Sequence, residues 1–290
     1  MERPFLVQID PVALELGPLQ VHWYGIAYLL AFASFWLIGA WLAKRRPWMG
    51  WTAEAVGDVR FYGILGIIIG GRLGYVLFYA LDGLAGDPLF LIRIWDGGMS
   101  FHGGLIGLIA GLWWFARRTG RSFFQVTDFV APIGPLGLAF GRLGNCVGGE
   151  LWGRISDVPW AMVFPASLPP GVAPQGLEQA WAAGLLDEYA RHPSQLYQAS
   201  LEGLALFTIL MVYAARPRPL GAISGLFLLG YGVFRFVAEF FREPDAHLGY
   251  LAGDWLTMGM LLSLPMVVAG AALTAYAYRR GAMPIAAETN

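Results

Sequence analysis

Long runs of apolar residues, broken by short charged or proline-rich stretches, fill this chain from end to end. From Val21 to Ala43 there is no formal charge over 23 residues, and the run stops at Lys44-Arg45-Arg46. A helix of that length rises far enough to cross a hydrocarbon core of roughly 30 Å. Six further runs of the same character lie at 58–80, 99–116, 126–143, 194–215, 220–241 and 254–278. Pro132 and Pro135 interrupt the fourth, which neighbouring helices can tolerate in a membrane by covering the freed backbone groups. The pattern predicts an all-α polytopic membrane protein with seven transmembrane helices. It reads as a single integral domain, 1–290, with one large insertion at 144–193 between helices 4 and 5. Prolines 165, 169, 170 and 174 make the middle of that insertion irregular, and 176–190 reads as a short surface helix. The first twenty residues carry Glu2, Asp10 and Glu15 and lack the basic start and apolar block of a cleavable leader.

Charge orients the spans. Seven crossings put 44–56, 117–125, 216–219 and 279–290 on one side, and these hold ten of the 19 Lys and Arg residues. The other side holds Arg3, Arg93, Arg154, Arg191 and Arg242, over much longer segments. The positive-inside rule makes the ten-residue side cytoplasmic, with the N-terminus outside and the C-terminus inside.

Composition supports lipid as the solvent. Only 13% of residues are charged, against about 25% in ordinary soluble domains, and 57% are hydrophobic. A net charge of −1 with no basic stripe argues against nucleic acid as a partner. The single Cys146 excludes a disulfide framework. The sequence has no HExxH, no CxxC and no Walker loop, so no metal, ATP or other cofactor is called for. Much of the glycine excess falls at helix-packing spacing: Gly66, Gly70 and Gly74; Gly103, Gly107 and Gly111; Gly137 and Gly141. Small residues four apart let helices approach closely in lipid.

Against this background the polar residues stand out. With the orientation above, Tyr24, His102, Arg142, His192, Arg235 and Glu239 all fall near the outer ends of their spans. Arg235 and Glu239 are four apart and share a helix face. Each has a plain structural reading: Arg235 pairing with Glu239, Arg142 snorkelling, His102 packed and hydrogen-bonded, His192 opening a helix, Tyr24 in an aromatic belt. Taken together, two arginines and a histidine at one depth describe an anion site. Guanidinium groups match phosphate bidentately, and phospholipid head groups are the phosphates most abundant there. A histidine titrates near neutrality and can accept a proton from a nucleophile. A buried arginine–carboxylate site also suits an anion transporter. Transporters often show two related halves, and here only Gly71-Arg72-Leu73-Gly74 repeats, as Gly141-Arg142-Leu143-Gly144. That echo makes Arg72 a second candidate for the phosphate.

Five blocks in order resemble one family. Ser100-Phe101-His102-Gly103-Gly104-Leu105, Gly141-Arg142-Leu143-Gly144-Asn145 with Glu150, Gly153 and Arg154, His192-Pro193-Ser194-Gln195-Leu196-Tyr197, Arg235-Phe236-Val237-Ala238-Glu239-Phe240-Phe241-Arg242 through Pro244-Asp245, and Leu262-Ser263-Leu264-Pro265-Met266 resemble bacterial prolipoprotein diacylglyceryl transferases. The chain departs from the family at Cys146, where an aromatic residue is expected, and at Gly148, where asparagine is expected. Cys146 is read as a small packed residue rather than a nucleophile.

The resemblance implies an enzyme of the bacterial inner membrane, acting as a monomer with its site toward the periplasm. It would move the diacylglyceryl group of phosphatidylglycerol onto the lipobox cysteine of a preprolipoprotein signal peptide. A thioether forms, glycerol 1-phosphate leaves, and lipoprotein maturation begins. In this reading Arg142 and Arg235 clamp the phosphate and His102 is the general base. Glu239 orients Arg235, and Glu150 orients Arg142 or His102. Asn145 and Tyr24 bond the head-group glycerol, and Gly153 admits the close approach of the lipid.

Overall fold

The protein is described here by a computed structural model covering residues 3–17, 19–173, 176–244 and 249–283. In chain order it has β1 (Phe5–Leu6), β2 (Val12–Leu16), β3 (Leu19–His22), α1 (Trp23–Arg45), α2 (Ala53–Tyr79), α3 (Leu81–Gly86), α4 (Phe101–Arg118), α5 (Phe123–Val130), α6 (Gly134–Val147), β4 (Met162–Val163), α7 (Leu177–Ala182) and α8 (Ser194–Gln198). A π-helical stretch, Ala199–Ala205, follows, then α9 (Leu206–Tyr213), α10 (Ala222–Glu239) and α11 (Met258–Arg280).

All seven apolar runs are helical along most of their length. Among the described residues, five helical stretches are long and apolar enough to cross a bilayer: Trp23–Arg45, Ala53–Tyr79, Ser194–Tyr213, Ala222–Glu239 and Met258–Arg280. The broken pair α5 and α6 makes a sixth if taken as one span. Their break falls at 131–133, around Pro132, while Pro135 sits in the first turn of α6, where a missing N–H costs nothing. The 18-residue α4 is not among the five, because His102, Trp113, Trp114, Arg117 and Arg118 lower its apolarity. The chain is thus a mostly helical polytopic membrane protein.

The all-α expectation is corrected at two places. β2 and β3 form an antiparallel hairpin that turns at Gly17, whose φ is 61°. β1 pairs in parallel with β4, joining the N-terminus to the large insertion. The insertion is also more ordered than its prolines suggest. Ala161, Val163, Ala180, Leu186 and Ala190 form a small buried core of their own, with Leu6 packed on it.

The residues group into two compact units: Met1–Phe35, Ala131–Arg216 and Ala222–Arg280, then Trp36–Val130, Pro217–Gly221 and Gly281–Asn290. In the second unit α2 and α4 meet along a seam without side chains. A Cβ on Gly66 would strike the Gly107 carbonyl, and one on Gly107 would strike that of Gly66. Gly70 and Gly103 oppose one another in the same way. Beside this seam, Trp51 stacks on Phe129 at 3.9 Å between ring centroids, and Asp128 accepts a 2.7 Å hydrogen bond from the Gly221 N–H. In the first unit, Gly270 lies against the Leu229 backbone and Gly203 against Ala139, so α11 closes on α10 and the π-helical stretch on α6.

Candidate active site

The α10 helix carries Arg235 and Glu239 on one face, as their spacing requires. The carboxylate of Glu239 pairs tightly with Arg235 Nη2. It also takes Arg242 Nη1 at 3.3 Å and accepts a hydrogen bond from Thr257 Oγ1 at 2.6 Å. Glu239 is 1% exposed. Its place depends on Gly259, where a Cβ would come within 2.5 Å of Glu239 Cδ.

Arg235 is held on its other edge by a second wall. Its Nη1 donates to Gln198 Oε1 at 2.8 Å and lies 3.7 Å from Glu202 Oε1. Gln198 and Glu202 are fully buried, on α8 and on the π-helical stretch that continues it. The Arg235 side chain keeps 14% exposure.

Arg142 approaches this cluster from α6. The charges of Glu202, Arg235, Tyr231 and Arg242 act on it, and Glu202 is the carboxylate among them. Its guanidinium makes no hydrogen bond to any described residue, and none of its nitrogens is fully enclosed. Three arginine charges thus face two carboxylates, an excess of one positive charge. A guanidinium left without partners in an apolar span is costly unless something else binds it.

The other predicted residues fall around α6 and the insertion. Tyr24 packs over Gly144, where a Cβ would lie 2.9 Å from Tyr24 Cδ2, so the absence of that atom sets Tyr24 beside the arginine-bearing turn. The Tyr24 hydroxyl lies 3.5 Å from that of Tyr28. Asn145, three residues after Arg142 on α6, is buried, and its carbonyl accepts from the Glu150 N–H at 2.8 Å. The Glu150 carbonyl accepts from Gln195 Nε2 at 2.6 Å, while the residue itself is exposed. Gly153 is crossed by protein backbone: a Cβ there would lie 2.5 Å from the carbonyl oxygens of His192 and Phe241. Next to it, Arg154 donates to the carbonyls of Arg242 at 3.1 Å and Glu239 at 3.3 Å, tying the insertion to the end of α10.

His192 precedes α8, with Nδ1 3.1 Å from the Tyr197 hydroxyl. Burial, then the charge of Arg154, holds its pKa below the ordinary histidine value, against an opposing pull from Asp157. His102 belongs to the second unit, exposed on the first turn of α4, which Ser100 caps through a 3.2 Å bond from the Gly103 N–H. Asp245, the last residue of one resembling block, lies outside the described residues.

Arg72 does not resemble Arg142 in its surroundings. It is 3% exposed and donates to the carbonyls of Phe90 and Gly97 at 2.5 Å and of Leu91 and Gly98 at 3.2 Å. Phe90 covers the guanidinium at 4.7 Å. Its donors hold a loop, which removes it from the list of phosphate candidates. Sequence reasoning missed Glu202, Gln198 and Thr257. Glu202 is the only acidic residue between 194 and 213, and the cost of placing a charge in lipid was a signal available for it as much as for the arginines.

The chain as a whole is similar to known proteins. The family model for prolipoprotein diacylglyceryl transferase matches residues 11–276. The phosphatidylglycerol–prolipoprotein diacylglyceryl transferase of Pseudomonas paraeruginosa is 53% identical over 275 residues, covering 95% of this chain and 96% of that protein. The enzymes of the same name from Ectopseudomonas mendocina and Pseudomonas syringae pv. syringae are 52% and 53% identical, over 94% of this chain and 96% and 95% of theirs. With the match running from the N-terminal hairpin almost to the end of α11, and through every turn that carries the arginine cluster, the chain belongs to the prolipoprotein diacylglyceryl transferase family.

Proposed function

We propose that the cluster formed by Arg142, Arg235 and Glu239 holds the phosphate of phosphatidylglycerol while its diacylglyceryl group is transferred to a cysteine thiol. The protein is a phosphatidylglycerol–prolipoprotein diacylglyceryl transferase, which performs the first step of lipoprotein maturation. The observation that carries the site is the open guanidinium of Arg142 beside an arginine whose orientation is already set.

The chemistry assigns a need to each group. The thiol gives up its proton, and the sulfur attacks the glyceryl carbon that bears the phosphate. The carbon–oxygen bond breaks, its electron pair stays on the phosphate oxygen, and glycerol 1-phosphate departs. Charge grows on that oxygen during the step, so donors fixed before reaction lower the barrier most. Arg142 and Arg235 are those donors. His102 accepts the thiol proton, since a free thiol with a pKa of about 8.5 is mostly protonated at neutral pH. Glu239 sets Arg235. Asn145 and Tyr24 bond the head-group glycerol, Glu150 fixes the turn that presents Arg142, and Gly153 keeps the insertion close to the end of α10.

In this reading the chain is one integral domain crossing a bacterial inner membrane seven times, α4 and the α5–α6 pair included, and acting as a monomer. Its N-terminus and the insertion 144–193 face the periplasm, as does the site. Preprolipoprotein signal peptides with a lipobox cysteine are the second substrate. Purified protein mixed with phosphatidylglycerol and a lipobox peptide, without ATP or added metal, is expected to give a diacylglyceryl adduct on cysteine by mass spectrometry. Lipid binding without an adduct, from folded protein, would point instead to anion or lipid transport.

A further inference from the structure

Glu202 has no place in the chemistry above, and its surroundings are unusual. It lies inside the helical span Ser194–Tyr213 and is 0% exposed. Neither carboxylate oxygen has a hydrogen-bond partner among the described residues. The nearest opposite charge is Arg235 Nη1 at 3.7 Å, and Arg142 also acts on it. A buried charge kept at such cost is expected to serve another group. The backbone that carries it is π-helical, a rare geometry that is frequent at functional sites.

The order of burial indicates which group it serves. Arg235 keeps part of its surface open, whereas both oxygens of Glu202 are completely enclosed. A ligand therefore meets the arginine, with the carboxylate behind it. Gln198, one turn earlier, is equally buried and bonds the same Nη1. Glu239 takes the opposite edge of the guanidinium. We infer that Glu202 is a positioning residue: with Gln198 it fixes the Nη1 edge of Arg235, opposite Glu239, so that the guanidinium plane is already set when charge develops on the leaving phosphate. Its second effect is electrostatic. Its negative charge lets Arg142 and Arg235 share one apolar cluster despite their repulsion.

This inference rests on the transferase reading and separates kcat from KM. Glu202→Gln keeps the shape and removes the charge. The cluster then holds three arginines against one carboxylate, so phosphatidylglycerol should bind as well as before or better. Arg235 loses one edge of its support, so the loss falls on the transition state. In purified protein with phosphatidylglycerol and a lipobox peptide, Glu202→Gln is expected to lower kcat at least tenfold with KM for the lipid unchanged or reduced. Glu202→Asp, which keeps the charge, is expected to recover part of the kcat. The melting temperature of each variant is measured in the same detergent.

Wild-type kcat in Glu202→Gln would overturn the inference. So would a raised KM at constant kcat, which would make Glu202 a ground-state binding residue. Equal losses in both variants that follow their melting temperatures would show a purely structural role and overturn it too. Absence of adduct from the folded wild type would reject the transferase reading itself, and that outcome is distinct because no variant is involved.

Discussion

The tetrapeptide Gly-Arg-Leu-Gly occurs twice, and its two arginines have opposite fates. Arg72, on α2, spends its donors on four loop carbonyls under the ring of Phe90. Arg142, on α6, has no hydrogen bond to a described residue and faces a carboxylate and two other arginines. Both are charges on apolar helices, Arg72 buried and Arg142 half-buried. One is satisfied by fixed dipoles and stabilises the fold. The other is offset in charge yet unsatisfied in hydrogen bonds, which is the condition of a group that awaits an anion. The local sequence does not separate these roles. What comes across from other segments does.

The largest expected effect follows directly. Arg142→Ala should reduce kcat/KM by about 100-fold or more, the usual consequence of removing a donor to developing negative charge, while the melting temperature stays close to wild type. Arg72→Ala should do the reverse. It strands carbonyls at about 1–3 kcal/mol each, so melting should fall by several degrees, with the activity of the folded fraction retained. A common phenotype for the two substitutions would erase the contrast.

Arg235→Lys sharpens the comparison within the cluster. It keeps the charge but cannot reach Gln198 and Glu239 from a planar fork. A fall in kcat of about tenfold or more is expected in the lipobox-peptide assay, and an unchanged rate would mean that charge alone suffices. Gly259→Ala tests the same arrangement from behind. Its methyl group would overlap the Glu239 carboxyl, with an overpacking cost of about 1–3 kcal/mol and a several-fold drop in kcat. A variant with normal kcat and melting temperature would show that Glu239 can shift freely.

The smallest effect concerns His192. Its folded-state pKa lies below the ordinary value of about 6.5, through burial and then Arg154. The unfolded chain therefore binds the proton more readily, and stability rises with pH across that interval. The contribution is complete above about pH 6.5 and is lost as the pH falls through the folded value. Melting curves between pH 5 and 7.5 should show a decline on the acid side that is smaller in His192→Gln. Parallel curves for the two proteins would remove His192 as its source.

Much of this architecture could be read from residue order. The seven apolar runs became helices because lipid demands internally satisfied backbone, and Pro132 marked the break between α5 and α6. The Arg235–Glu239 pair followed from a spacing of four. Glu202 escaped notice because its partners lie on α6 and α10 rather than at helical spacing along its own segment. Arg72 was misjudged because its partners are carbonyls, which every residue possesses, and only the path of the loop at 88–98 aims them. The hairpin β2–β3 is four or five residues to a strand, too short for an alternation to emerge beside so strong a helical pattern.

The seam between α2 and α4 has a consequence for entropy. Helices that join through leucines or methionines must freeze side-chain rotamers, at up to about 2 kcal/mol for the most flexible. Glycines have no rotamers to lose. Where Gly66 and Gly70 face Gly107 and Gly103, the contact is between two backbones whose freedom was already surrendered when each helix formed, and Cα–H groups can lie directly against carbonyl oxygens. The pairing of these two helices is thus nearly free of conformational cost.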